Sequence, residues 1–154
     1  AFAQTHNTNW KLIIAGEGEN KKQLEVLIQE LNLQEKVELV GLAKEISPFY
    51  TNAKIFAFSS HYEGFPNALI EAMYFGLPCI STDCPTGPSE LILDGINGYL
   101  TPINDIDSFA HKLNILMHNN NLRKKFEEEA PKAVKQFEGT SVANKWNQLI
   151  KKYI

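Results

Sequence analysis

Arginine is nearly absent from this sequence: Arg123 stands alone among the 15 Lys and Arg side chains. Two-point clamps on phosphate depend on the planar guanidinium group, so we expect none from this chain. The 18 Asp and Glu side chains outweigh the basic ones, and a net charge of −3 provides no basic patch for nucleic acid. A nucleic-acid partner is therefore not expected.

Cysteine is also scarce, with Cys79 in an apolar run and Cys84 shortly after it. Two cysteines without a histidine cluster disfavour a zinc site, and their positions predict reduced thiols packed inside an intracellular protein. No apolar run approaches the roughly 20 residues that a membrane helix needs, and no signal peptide is recognisable. The 154 residues, 44% of them hydrophobic, suit one domain with a core.

The most informative stretch begins with an aromatic-rich apolar run at 53–58, which predicts a buried strand. A loop containing Gly64 and Pro66 follows, and then a helical pattern from 67 to 75 that stops at Gly76. A helix that starts directly after a loop presents free backbone N–H groups, which attract anions and phosphate in particular.

Two carboxylates frame this predicted helix. Glu63 lies in the loop before it, and Glu71 shares a helix face with Asn67 while interrupting an apolar run. A charge in such a run needs a partner if it is buried. For an isolated glutamate, a salt bridge to a lysine or a helix cap is the ordinary interpretation, and a ligand-binding role is the alternative.

The rest of the chain alternates short strands with helices, which predicts an α/β fold with a parallel sheet and helices on both faces. Residues 1–154 are expected to form a single Rossmann-like domain, with helices only from about residue 105. Ligands in such sheets bind outside the carboxyl ends of the strands. Met117 and Trp146 fall on apolar helical stripes and are expected in the core.

The block at 63–73, E-G-F-P-N-A-L-I-E-A-M, resembles the signature of the retaining, nucleotide-sugar-dependent glycosyltransferases called group 1 or family 4. Nearly the whole chain matches the C-terminal, donor-binding half of these two-domain enzymes, which have the GT-B fold. The further matching segments are 12–18, 37–41, 76–82, 87–90 and 94–100.

The resemblance implies transfer of a sugar from a nucleotide diphosphate sugar, expected to be a UDP-sugar, to an acceptor hydroxyl with retention of configuration. The acceptor would be a glycan or lipid-linked precursor held by an N-terminal half. No cofactor and no metal are expected, because helix N-termini can carry the phosphate charge. The resemblance also implies a cytoplasmic enzyme, associated peripherally with the inner face of the membrane.

By the same resemblance, Glu63 and Glu71 are the predicted catalytic residues. Glu71 would hold the ribose hydroxyls, Glu63 would bind the donor sugar, and the amides of 64–68 would cradle the sugar and the distal phosphate. The remaining predicted substrate-binding residues are Gly16, Leu42, His61, Gly64, Phe65, Pro66, Asn67, Ala68 and Leu69.

The family's first strand, which is central in the order 3-2-1-4-5-6, has no counterpart here. We therefore expect a chain cut from a longer product, with a gap between the strands at 10–15 and 53–58 and no transferase activity on its own. A non-catalytic Rossmann-like module for a nucleotide or a partner is the alternative. A receiver-type module is disfavoured because the sequence has no acidic cluster at Ala15-Gly16, where the first strand ends. A sugar-nucleotide epimerase is disfavoured because the sequence lacks the Tyr-x-x-x-Lys pair of those enzymes.

Overall fold

The computed structural model describes residues 1–5 and 9–153. It contains five short strands, joined by parallel ladders, which agrees with the predicted α/β class. The strands are β1 (Leu12–Ala15), β2 (Val37–Gly41), β3 (Phe56–Phe58), β4 (Cys79–Thr82) and β5 (Gly98–Thr101).

Helices separate these strands and then continue alone after β5, as the alternation and the late helical pattern predict. Single 3-10 turns lie at Phe2–Gln4 and Lys135–Phe137. The helices are α1 (Lys21–Glu30), α2 (Ser47–Asn52), α3 (Asn67–Tyr74), α4 (Pro88–Leu91), α5 (Ile106–His118), α6 (Asn120–Val134) and α7 (Gly139–Tyr153).

The strands form two separate sheets. β1 pairs with β2, while β4 lies between β3 and β5. Within the residues that the structure describes, no ladder joins β1 to β3, so these two strands do not pair directly, as the predicted gap requires. One edge of β1 and one edge of β3 are therefore unpaired in this part of the chain.

The core lies on both faces of β4, all four residues of which are buried. Cys79 belongs to one hydrophobic cluster and Ile80 to another, because neighbouring side chains on a strand point to opposite faces. The Cys79 cluster contains Leu69 and Met73 of α3, whereas Ile80 packs with Phe109 and other residues of α5 and α6. Helices thus cover both faces, as predicted.

Helix α3 is positioned by its buried face and by its C-terminus. Leu69, Ala72 and Met73 are buried. The helix ends before Gly76, as predicted, and this glycine has a φ of +76°. A Cβ at Gly76 would lie 3.3 Å from the carbonyl oxygen of Glu127, so α3 packs closely on α6.

The expectation for Trp146 is wrong, whereas Met117 is buried as expected. Trp146 is 61% exposed, and none of the described residues of α7 is buried. Helical periodicity identifies an apolar stripe but does not say what covers it. In the described part of the chain, no helix is both long and apolar enough to cross a bilayer.

We predict that a polypeptide restricted to residues 1–154 has a free energy of unfolding below about 5 kcal/mol, the lower end of the range for natural domains. The reason is that the open edges of β1 and β3 leave backbone amides and carbonyls without partners. Urea unfolding followed by circular dichroism, with sedimentation to fix the oligomeric state, measures this value. Cooperative, reversible unfolding of a monomer at a clearly higher free energy would contradict the prediction.

Candidate functional site

The two glutamates lie on one strand–loop–helix unit, formed by β3, the loop at 59–66 and α3. Glu63 is half-buried in the loop, and Glu71 is exposed on the helix together with Asn67. The helical period therefore places Asn67 and Glu71 on one face, as the sequence predicts. This unit follows the carboxyl end of a strand in a parallel sheet, the edge at which such folds bind ligands.

Glu71 is not paired with a lysine. Its Oε2 atom accepts a hydrogen bond of 3.0 Å from the hydroxyl group of Tyr50. Among the described residues, the ion pairs join Lys112 to Asp94 and Lys132 to Glu129. The salt-bridge interpretation of Glu71 is therefore wrong, and its carboxylate lies exposed at the protein surface.

Tyr50 is held firmly in the core although its hydroxyl reaches the site. Only 6% of the residue is exposed. Its ring stacks on Phe75 at a centroid distance of 5.3 Å and meets the edge of Phe56 at 5.9 Å. Burial first, and then the hydrogen bond to Glu71, raise the pKa of the Tyr50 hydroxyl. The group is therefore a neutral hydrogen-bond donor at physiological pH.

Fewer backbone amides are available for anion binding at 64–68 than the sequence predicts. Pro66 has no N–H, and the amide of Asn67 donates to the carbonyl of Phe65 at 2.9 Å. Within the described residues, the amides of Gly64, Phe65 and Ala68 have no acceptor. These three N–H groups are the ones available to an anion at the start of α3.

Pro66 and Leu69 are fully buried, so their side chains support the site rather than contact a ligand. The Pro66 carbonyl accepts from the amide of Leu69, at 3.1 Å, and thereby begins the helix. Phe65 differs from both, since it is 51% exposed and its ring meets Phe137 edge-on.

The loop at 59–66 is tied to the next strand and the turn that follows it. The hydroxyl of Thr82, at the end of β4, donates to the carbonyl of Ser60 at 2.5 Å. The hydroxyl of Thr86 lies within hydrogen-bond distance of two backbone carbonyls, that of Glu63 and, at 2.6 Å, that of Pro85, and its single proton is shared between them. These bonds fix the backbone on both sides of His61 and at Glu63 itself.

A third tie involves Gly87, which has a φ of +104°. A Cβ at this position would lie 2.5 Å from Cδ of Pro66, which is closer than two non-bonded carbon atoms can approach without a shift of the structure. Thr86 also has a positive φ, 65°, so the turn at 86–87 is held in a conformation that ordinary residues disfavour. The sequence indicates a rigid turn here but does not show that it supports the loop.

Gly16 and Leu42 lie elsewhere, at the end of the β1–β2 sheet. The amide of Gly16 donates to the carbonyl of Gly41 at 2.8 Å, and Leu42 is 77% exposed. Gly16 lines a cleft of about 280 Å³ with residues 17–21, and no residue of 61–71 lines that cleft. The residues of 61–71 thus follow β3 of the three-stranded sheet, whereas Gly16 and Leu42 follow the strands of the two-stranded sheet.

His61 is exposed beside this loop. Among the described residues, no group of three or more His, Cys, Asp or Glu side chains could hold a metal ion.

Comparison with known proteins gives one consistent family. The protein family described as "Glycosyl transferases group 1" matches residues 1–133 of this chain. The amylovoran biosynthesis glycosyltransferase AmsD of Erwinia amylovora is 37% identical over 149 residues, which are 97% of this chain and 42% of that protein.

Two further proteins extend this comparison. A Campylobacter jejuni α-1,4-N-acetyl-D-galactosaminyltransferase, whose name specifies a PP-undecaprenol-linked glycan, is 32% identical over 92% of this chain and 39% of its own. The pneumococcal O-GlcNAc transferase GtfA, solved with UDP and GlcNAc, superposes with a TM-score of 0.82 at 28% identity, covering 92% of this chain and 29% of that one. The chain thus spans about two fifths of the length of these curated relatives.

We predict that Gly87→Ala destabilises the protein by at least about 1 kcal/mol more than Gly95→Ala. Both glycines have a positive φ, which costs alanine about 1–2 kcal/mol, but a Cβ at Gly95 meets nothing within 4 Å. Because Gly87 combines its φ of +104° with a ψ of −64°, outside the left-handed helical region, the difference between the two variants contains this backbone cost together with the contact with Pro66. Urea unfolding of both variants and the wild type tests this, and equal losses would show that the turn does not support the loop.

Proposed function

The chain belongs to the group 1 glycosyltransferase family, and on that premise we propose that it binds the donor for transfer of a sugar from a UDP-sugar to an acceptor hydroxyl. Its α/β fold corresponds to one half of a GT-B enzyme. We further propose that residues 1–154 form one Rossmann-like, nucleotide-sugar-binding domain and that the transfer retains the anomeric configuration.

The observation that carries this proposal is the exposed carboxylate of Glu71. It lies one turn inside α3, on the same face as Asn67, and one of its oxygens is held by Tyr50. In Rossmann-like domains an acidic residue about 20 positions after the phosphate-binding turn accepts a hydrogen bond from a ribose hydroxyl, and here we assign that task to a carboxylate within the helix itself. This proposal is supported by the exposure of Glu71 and by the free amides of Gly64, Phe65 and Ala68 near the start of the same helix, which are proposed to bind phosphate.

Glu63 and the free amides serve the other end of the donor. Glu63 accepts hydrogen bonds from hydroxyls of the sugar, and the amides of Gly64, Phe65 and Ala68 bind the distal phosphate. The partial positive charge at the start of α3 favours the negative charge that develops on the leaving diphosphate. His61, which lies two residues before Glu63, is proposed to lie beside the sugar.

In the transfer, the bond between the anomeric carbon and the diphosphate oxygen breaks, and the leaving UDP keeps the electron pair. A new bond forms between that carbon and the acceptor oxygen, which loses its proton. The charge on the departing phosphate is therefore the quantity that this half of the enzyme stabilises, and neither a cofactor nor a metal ion is required for it. Gly16 and Leu42 are proposed to approach the nucleotide from the β1–β2 surface.

The proposed acceptor is a glycan or a lipid-linked glycan precursor. The support is that the named relatives act in amylovoran biosynthesis and on a PP-undecaprenol-linked glycan. A lipid-linked acceptor implies work in the cytoplasm, at the inner face of the membrane. The acceptor contacts would come from the part of such enzymes that lies outside the length matched here.

We predict that Glu71→Ala weakens binding of UDP well over tenfold in the complete natural protein that carries this chain. Two lost hydrogen bonds to a charged group cost roughly 1.5–3 kcal/mol each. Glu71→Gln should weaken binding less, because its amide retains one acceptor oxygen. Titration calorimetry measures the affinities, and Glu128→Gln, which removes an exposed charge from α6, is the matched control. Unchanged affinity in a folded Glu71→Ala protein would refute the assignment.

We predict a different result for Glu63→Ala, because Glu63 is proposed to contact the sugar and not the nucleotide. Affinity for free UDP should change less than about twofold, while turnover of the UDP-sugar should fall at least about a hundredfold. Steady-state kinetics and calorimetry on the same preparation separate the two effects. Loss of UDP affinity equal to that of Glu71→Ala would mean that the two roles are assigned to the wrong glutamates.

A further inference from the structure

Tyr50 makes the one side-chain hydrogen bond recorded for the Glu71 carboxylate within the described residues. The ring is clamped between Phe56 and Phe75, so the hydroxyl oxygen has a fixed position. Glu71, in contrast, is exposed, and a free glutamate side chain samples many rotamers. The rigid partner therefore sets the position of the mobile one.

The direction of this bond matters for ligand binding. The hydroxyl donates to Oε2 at 3.0 Å, and its distance to the alternative acceptor, the carbonyl of Ala68, is 3.4 Å. A carboxylate has about four acceptor positions on its two oxygens. One is used by Tyr50, so Oε1 and the rest of Oε2 stay available on the exposed side of α3.

The chemical nature of the group that donates this hydrogen bond to Glu71 matters as well. A lysine or arginine at this place would neutralise the carboxylate and compete with a ligand for it. A tyrosine hydroxyl orients the group and adds no charge, so Glu71 retains its full strength as an acceptor. The burial of Tyr50 keeps that hydroxyl protonated.

We propose that Tyr50 is a positioning residue for ribose recognition. Its hydroxyl holds the Glu71 carboxylate in the orientation in which the remaining lone pairs accept from the 2′- and 3′-hydroxyls of the nucleotide. The inference rests on the proposed function, since it assumes that Glu71 binds ribose. It adds a residue from α2, about twenty positions earlier in the chain, to the donor site.

The test compares Tyr50→Phe with wild type in the complete natural protein, by calorimetry with UDP and with 2′,3′-dideoxy-UDP. The substitution retains the ring and removes only the hydroxyl. Affinity for UDP should fall about three- to tenfold, the range expected for one lost orienting hydrogen bond. Affinity for the dideoxy nucleotide should not change, because it offers no hydroxyl to Glu71. Tyr99→Phe, which removes another partly buried tyrosine hydroxyl, is the matched control and should leave both affinities unchanged.

A double-mutant cycle shows whether Tyr50 acts through Glu71. In a Glu71→Ala background, Tyr50→Phe should cause little further loss of UDP affinity, because the group that it positions is absent. Glu71→Asp provides a second approach that leaves the core intact. It retains the charge but withdraws it from the Tyr50 hydroxyl, and it should weaken UDP binding about as much as Glu71→Gln does.

Several outcomes would overturn the inference. Equal losses for UDP and the dideoxy nucleotide, or a full effect of Tyr50→Phe in the Glu71→Ala background, would show a merely structural role. Wild-type affinity in Glu71→Asp or in a folded Tyr50→Phe protein would refute positioning, while the proposed function would stand if Glu71→Ala weakens binding. Wild-type protein that does not bind UDP, or an unaffected Glu71→Ala variant, would refute the proposed function itself and this inference with it.

Discussion

The site depends on one constraint, the attachment of the loop at 59–66 to the segment that follows β4. Two threonine hydroxyls and one close glycine–proline contact fix this loop from its first residues to the start of α3. Without these ties the loop would have only its own sequence, with Gly64 at its centre, to hold it. The positions of Glu63 and of the free amides are therefore properties of the three-stranded sheet and not of the loop alone.

Charge is distributed in an unusual way for a surface proposed to bind a diphosphate. The chain has a single arginine, and Arg123 donates to the carbonyls of Leu116 and Met117 at the end of α5. In the proposed site, anion binding is left to backbone amides and the dipole of α3, while Glu63 and Glu71, the two side chains proposed to bind the hydroxyl groups of the donor, are acidic. Carboxylates suit hydroxyl-rich groups, so the division between amides for phosphate and glutamates for sugars follows from simple chemistry.

The sequence predicted local features well and distant contacts poorly. The helical period, Gly76 and the exposed face shared by Asn67 and Glu71 all follow from residues within one short segment. Tyr50 and Thr86 were missed because their partners lie 21 and 23 positions away, and no local pattern records such a contact. A buried tyrosine does require an acceptor, and this rule is the signal that could have drawn attention to Tyr50. The prediction that Trp146 lies in the core was wrong for a different reason. The sequence shows an apolar stripe on its helix but does not show whether another part of the protein packs against that stripe.

The anchored loop also has a consequence for motion. The loop is bonded at Ser60 and Glu63 and packs closely at Pro66, so its closure over a bound molecule as a lid would have to break these contacts. Sequestration of a reacting sugar from water then requires the whole sheet, with its loop, to approach another surface as a rigid body. Such collective movements occur in microseconds to milliseconds and set the turnover of many enzymes. For the proposed transfer, such a joint movement of the sheet and its loop, rather than closure of the loop alone, would then be the step that limits turnover.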